Sequence, residues 1–100
     1  MKVIERHAES WRSAIDFAKA LKAAIGAPDW HGDSRDAFLD SMIYHDEINA
    51  LKAPYTIRVL GLDKAQAEVQ DFARMMSRLI QIAGENDRGT DLEVNLTIES

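Results

Sequence analysis

The clearest pattern in the chain lies at its end, where Leu92-Glu93-Val94-Asn95-Leu96-Thr97-Ile98-Glu99 alternates apolar and polar positions without a fault. Side chains in a strand point alternately to opposite faces, so this segment predicts a β-strand with one buried and one wet face. Leu92, Val94, Leu96 and Ile98 then share the buried side. Upstream, Ala65, Val69, Phe72, Ala73, Met76, Leu79, Ile80 and Ala83 recur at helical spacing, predicting a long helix capped by Asp63 with Gln66 and stopped by Gly84. Between Pro54 and Gly61, Tyr55-Thr56-Ile57-Arg58-Val59-Leu60 reads as a strand. Trp11, Ala14, Ile15, Ala18, Leu21 and Ile25, widened by Phe17, form a second helical stripe, with Ser10 as N-cap and Gly26 followed by Pro28 at its end. A shorter helix through Ala37, Phe38 and Met42 takes Asp33 or Ser34 as its cap. Lys2-Val3-Ile4 is a short first strand.

The predicted order is β-α-α-β-α-β. Helical crossovers between successive strands require a parallel sheet with right-handed connections. The expected fold is α/β: a small three-stranded parallel sheet packed against three to four helices, which cover chiefly one side. The Leu92–Ile98 strand is expected to pair in parallel with Tyr55–Leu60. No repeat, low-complexity tract or linker divides the sequence, so residues 1–100 are expected to form one domain.

Composition agrees with a globular chain, at 46% hydrophobic and 29% charged residues. There is no cysteine, which excludes disulfide scaffolds, thiolate metal sites and cysteine nucleophiles. The start, Met1-Lys2-Val3-Ile4-Glu5-Arg6, has no apolar run after it, so a secretory signal is not expected, and the Ala23–Pro28 run is far too short to span a membrane. A cytoplasmic protein is the expectation.

Charge changes the picture more. The chain carries a net −5, and the stretch from Asp29 to Glu47 holds six acids (Asp29, Asp33, Asp36, Asp40, Asp46, Glu47) against one base, Arg35. That stretch alone accounts for the excess; the remainder is balanced. A concentrated negative patch repels nucleic-acid phosphate and attracts a cation or a basic partner. Direct nucleic-acid binding is therefore disfavoured.

Asp36 and Asp40 stand four residues apart, so a helix projects both carboxylates from one face. Like charges at this spacing weaken an isolated helix by about 0.2–0.5 kcal/mol. Capping accounts for Asp33, whereas Asp40 lies beyond the first turn and gains nothing from the helix dipole. One reading is a solvated acidic face. Others are acid–base chemistry helped by His31 or His45, and a divalent cation held by His31, Asp36 and Asp40. No His-Glu-x-x-His, calcium-loop, Gly-x-Ser-x-Gly or phosphate-loop motif supports an enzyme, and lone histidines near a helix end are usually surface or capping residues. Met75-Met76 reads as core filling. Trp30, flanked by acids in a loop, is either a staple over the corner of the first two helices or an interface anchor.

The residues from Trp11-Arg12-Ser13-Ala14-Ile15-Asp16 through Leu21-Lys22, and then Pro28-Asp29-Trp30-His31-Gly32-Asp33-Ser34-Arg35-Asp36-Ala37-Phe38-Leu39-Asp40, resemble the barstar family. Barstar-family proteins are intracellular inhibitors of secreted bacterial ribonucleases such as barnase. Pro28, the aromatic at 30, Gly32, Asp36-Ala37 and Asp40 carry the resemblance. It covers the first half of the chain by residue and the second half by its strand–helix–strand order. It implies a non-catalytic, cofactor-free inhibitor in which residues 29–47 plug the ribonuclease active site and carboxylates replace RNA phosphate. Asp40 is implied to enter the cationic pocket, Asp36 to pair with the basic rim and Trp30 to stack on the enzyme; Asp33, Ser34 and Leu39 complete the implied partner-binding set. The target is then a basic ribonuclease, such as a toxin made by the same or a competing bacterium, for which the chain serves as an immunity protein.

Against the family pattern, Ser34 stands for an asparagine, Leu39 for a tryptophan and His31 for an aromatic; the connection from Met42 to Pro54 and the long helix are extended. The family also brings an acid on that helix to the enzyme, for which Glu68 and Asp71 are candidates. Two rival functions remain: an interaction module of the same fold with a non-nuclease basic partner, and a small metal-dependent enzyme using Asp36 and Asp40.

Overall fold

The computed structural model describes residues 2–44, 46–86 and 94–99. Three strands, β1 (Lys2–His7), β2 (Tyr55–Leu60) and β3 (Val94–Glu99), form one parallel sheet in the order β1-β2-β3. Tyr55 pairs with Lys2 on one side and Val94 on the other, and Ile57 with Ile4 and Leu96. The expected pairing of the last strand with Tyr55–Leu60 is what the structure has. Val94 and Leu96 are buried and Asn95 is only half-buried, so the alternation put the register on the correct face. Leu92 lies outside the described residues.

Three α-helices connect the strands: α1 (Ala14–Ile25), α2 (Arg35–Leu39) and α3 (Ala67–Asn86). The element order is β-α-α-β-α-β, as expected. Phe17, Leu21 and Ile25 of α1, Phe38 and Met42 from the α2 region, and Val69, Ala73, Met76 and Ile80 of α3 meet Tyr55, Ile57 and Val59 in one buried core. The opposite sheet face stays wet. There Val3, Glu5, His7, Thr97 and Glu99 are exposed, and Arg58 bridges Glu5 at 2.6 Å and Glu99. Its hydrogen bond to Glu99, with the charges of Glu99 and Glu5, raises the Arg58 pKa above the ordinary arginine value.

Several element ends differ from expectation. The first strand runs on to His7 because its polar residues face solvent at the sheet edge. Helix α1 begins after Ser13, not Ser10, and Trp11 lies before it, packed edge-on against Phe17 at 5.3 Å. Ser13 makes no side-chain cap. Instead Glu68 of α3 accepts the Ala14 N–H at 3.1 Å, so a tertiary contact supplies the missing cap. Ile15, read as a core position, is 54% exposed. Asp63 does not cap α3: Leu62–Lys64 form a 3₁₀ turn, and the helix starts at Ala67. Gly84 does not stop it either, since the helix continues to Asn86.

Gly26 ends α1 in the left-handed conformation, φ 65°. The Ala27 N–H donates to Lys22 O and the Gly26 N–H to Ala23 O, which together satisfy two terminal carbonyls. The Ile25 and Gly26 carbonyls in turn accept from Leu51 and Ala50. This lacing fixes the end of α1 and hence the point from which the loop to α2 departs.

Candidate partner-binding site

The loop after α1 is short and rich in turn formers, and its only well-buried polar side chain is His31, 5% exposed. The reading of this histidine as a surface or capping residue is corrected by its surroundings. Its Nδ1 donates to Gly32 O at 2.6 Å, its Nε2 is hydrogen-bonded to Ser41 Oγ at 2.7 Å, and the Ser41 hydroxyl also reaches Phe38 O at 3.4 Å. Its ring lies on Phe38 with centroids 4.9 Å apart. Both ring nitrogens are therefore committed to holding the fold, which removes His31 as a metal ligand or proton shuttle. Among the described residues no group of three His, Cys, Asp or Glu side chains is placed to hold a metal ion. His45 lies outside the described residues.

Helix α2 starts at Ser34, whose hydroxyl accepts the Ala37 N–H at 3.2 Å. An N-cap of this kind satisfies one of the helix's unpaired donors. Of the two proposed caps, Ser34 fills the position. Asp33 instead pairs with Lys22 of α1, Oδ1 to Nζ 2.5 Å. After Leu39 the chain widens into a π-helical turn, Asp40–Tyr44. Ser41, Met42 and Ile43 are all buried, while Asp40 and Tyr44 return to the exposed side. Wide turns of this type are frequent at functional sites. Ser41 is gripped twice here, by His31 through its hydroxyl and by Asn49 Nδ2, which donates to Ser41 O at 3.0 Å.

The result is a firm scaffold with a charged outer surface. Asp29, Asp33, Asp36, Asp40 and Glu47 are all exposed. Asp36 is the most open of the paired acids, its side chain 85% exposed and its Oδ1 3.7 Å from Arg35 Nε. Arg35 also reaches Met75 Sδ of α3 at 3.8 Å. Met76 is fully buried and fills the core, whereas Met75 beside it is only half-buried. Trp30 is 73% exposed, which rules out a staple folded over the helix corner.

Of the six residues singled out in the sequence, Trp30, Asp33, Ser34, Asp36 and Asp40 are each exposed to solvent. Leu39 is half-buried and packs against the core, so it supports the surface from beneath. Sequence reasoning missed Tyr44, 56% exposed, because a helical period through Phe38 and Met42 assigns no place to it. It also missed the supporting pair His31 and Ser41, whose polarity carries no burial signal in the sequence.

The candidate acids of α3 separate as well. Glu68 is occupied at the start of α1, whereas Asp71 is exposed one turn before Met75, which touches Arg35 of α2. No described helix is long and apolar enough to cross a membrane. Compared with known proteins, residues 1–97 match the family model described as Barstar (barnase inhibitor). No curated protein matches the chain.

Proposed function

The chain belongs to the barstar family, and from that premise we propose that it is a non-catalytic inhibitor that seats residues 29–47 in the active site of a basic, barnase-type ribonuclease. The observation that carries this reading is the exposed run of Asp36, Asp40 and Trp30 on a segment pinned from below by His31, Ser34 and Leu39. An enzyme that binds RNA must offer cations where phosphate lies. Carboxylates held at fixed spacing satisfy those cations in place of the substrate, through strong charge-assisted hydrogen bonds.

In this reading Asp40 enters the cationic pocket, Asp36 meets its rim and Trp30 stacks on the enzyme. Asp33 and Ser34 hold the loop and the helix start. Asp71, on the shoulder of α3 next to α2, is the acid that widens the contact, since Glu68 is spent on α1. Rigid presentation matters because each side chain ordered on binding costs about 0.5–1.5 kcal/mol, and here much of the segment is ordered beforehand. The reading includes a cytoplasmic location in a bacterium that makes or meets the nuclease, where the chain acts as an immunity protein.

Association with purified barnase, followed at increasing ionic strength, tests the proposal. The concentrated −5 charge predicts fast association that slows steeply as salt rises, with dissociation changing less. Absence of binding, or a rate indifferent to salt, would contradict it and favour a module for another partner.

A further inference from the structure

Trp30 and Asp40 are ten residues apart in sequence, and each is followed by one half of a buried hydrogen bond. His31 follows Trp30; Ser41 follows Asp40; their side chains meet at 2.7 Å between Nε2 and Oγ. Both are almost fully buried, at 5% and 1% exposure. This hydrogen bond ties the loop to the π-helical turn. The other contacts of the two residues make it a rigid clasp: Gly32 O on Nδ1, the Phe38 ring under the imidazole, and Asn49 on the Ser41 carbonyl.

We infer that the His31–Ser41 clasp is a positioning device for inhibition: it fixes the separation between the exposed tryptophan and the exposed carboxylate that the partner reads together. This inference rests on the inhibitor reading above. A π-helical turn is a poor continuation of a helix by itself and persists where surrounding contacts hold it. Loss of the clasp lets Asp40 and Trp30 move independently, so only a fraction of molecules presents both in the binding geometry. Apparent affinity then falls by that fraction, although no residue touching the partner has changed.

The test uses the full chain and purified barnase. Ser41→Ala removes the Nε2 partner while nearly keeping volume, His31→Phe keeps the ring on Phe38 but removes both hydrogen bonds, and His31→Gln retains an arm able to reach Ser41. Thermal unfolding of each variant is recorded alongside binding, which is measured well below its Tm. Ser41→Ala and His31→Phe are expected to weaken binding by about three- to tenfold, the range of one net buried hydrogen bond. His31→Gln is expected to recover part of that loss.

A merely structural role lowers Tm and leaves the affinity of the folded protein unchanged, so it does not produce this pattern. In a Trp30→Ala background, Ser41→Ala is expected to cost little more, because no spacing is left to hold. Clasp variants that bind barnase within twofold of the parent, or effects of Ser41→Ala and Trp30→Ala that simply add, overturn the inference alone. Failure of the parent protein itself to bind overturns the inhibitor reading and this inference with it.

Discussion

Lys22 Nζ lies 2.5 Å from Asp33 Oδ1, joining the last turn of α1 to the loop that carries the acidic segment. The pair is open to solvent, with the Asp33 side chain 48% exposed, so it is worth at most about 1 kcal/mol. Its effect is to aim the loop. Lys22→Met is expected to lower unfolding free energy by less than about 1 kcal/mol at low salt. In 1 M salt, where screening acts over only about 3 Å, parent and variant should converge. Denaturant titrations at the two salt concentrations check this; a difference that persists at high salt would show a packing role for the lysine stem.

Asp40 and Asp36 are both exposed, yet the proposed complex gives them unequal duties. In the proposed complex, Asp40→Ala leaves cationic groups of the ribonuclease buried without a partner. It is expected to cost on the order of 2–5 kcal/mol in binding, chiefly as faster dissociation. Asp36→Ala, at the rim, is expected to cost less. Both should leave folding stability within about 0.5 kcal/mol of the parent, as surface changes usually do. Binding kinetics and unfolding on the same samples decide; equal and negligible affinity losses would remove Asp40 from its assigned role.

Trp30 and Tyr44 are the large exposed aromatics described in the acidic segment. A tryptophan 73% exposed contributes little to the core, so Trp30→Ala should leave Tm nearly unchanged. As an anchor buried on binding it should cost about 2 kcal/mol or more in affinity. Tyr44→Ala is expected to follow the same direction with a smaller loss. A Trp30→Ala variant that unfolds several degrees earlier with unchanged binding would reverse the assignment.

Gly26 is a backbone requirement. Its φ of 65° disfavours any side chain, and an added Cβ would lie 2.6 Å from the Ala50 Cβ. Relief requires moving the Ala50–Leu51 segment away from the carbonyls of Gly26 and Ile25. Gly26→Ala is expected to destabilise by about 1–3 kcal/mol, the cost of left-handed strain with local overpacking. Equilibrium unfolding measures it, and a neutral result would show that the loop shifts freely.

The elements most legible in the sequence were those whose buried face is set by a regular period. The alternation through Val94, Leu96 and Ile98 fixed the face of β3, and the spacing of Val69, Ala73, Met76 and Ile80 fixed that of α3. Ends were less legible because tertiary contacts decide them. Glu68 caps α1 from 54 residues away, which lets the helix begin at Ala14 and leaves Trp11 to pack on Phe17 outside it. Ile15 mimics a core position in the period but falls on the outer side once the stripe centres on Phe17, Ala18 and Leu21. At the proposed site, charge and spacing singled out Trp30, Asp36 and Asp40, all three of which are exposed. The supports were not legible, since His31 acquires meaning only when the fold brings Ser41 to its Nε2 and Phe38 beneath its ring.

The central claim is that this protein blocks a ribonuclease by occupying its active site with the segment around Asp40. Titrating barnase with the purified protein while following RNA cleavage tests it most directly. The account predicts activity falling in proportion to added protein and vanishing near equimolar ratio, with Asp40→Ala needing a large excess for the same effect. Undiminished cleavage in the presence of a clear excess of the folded parent protein would contradict it.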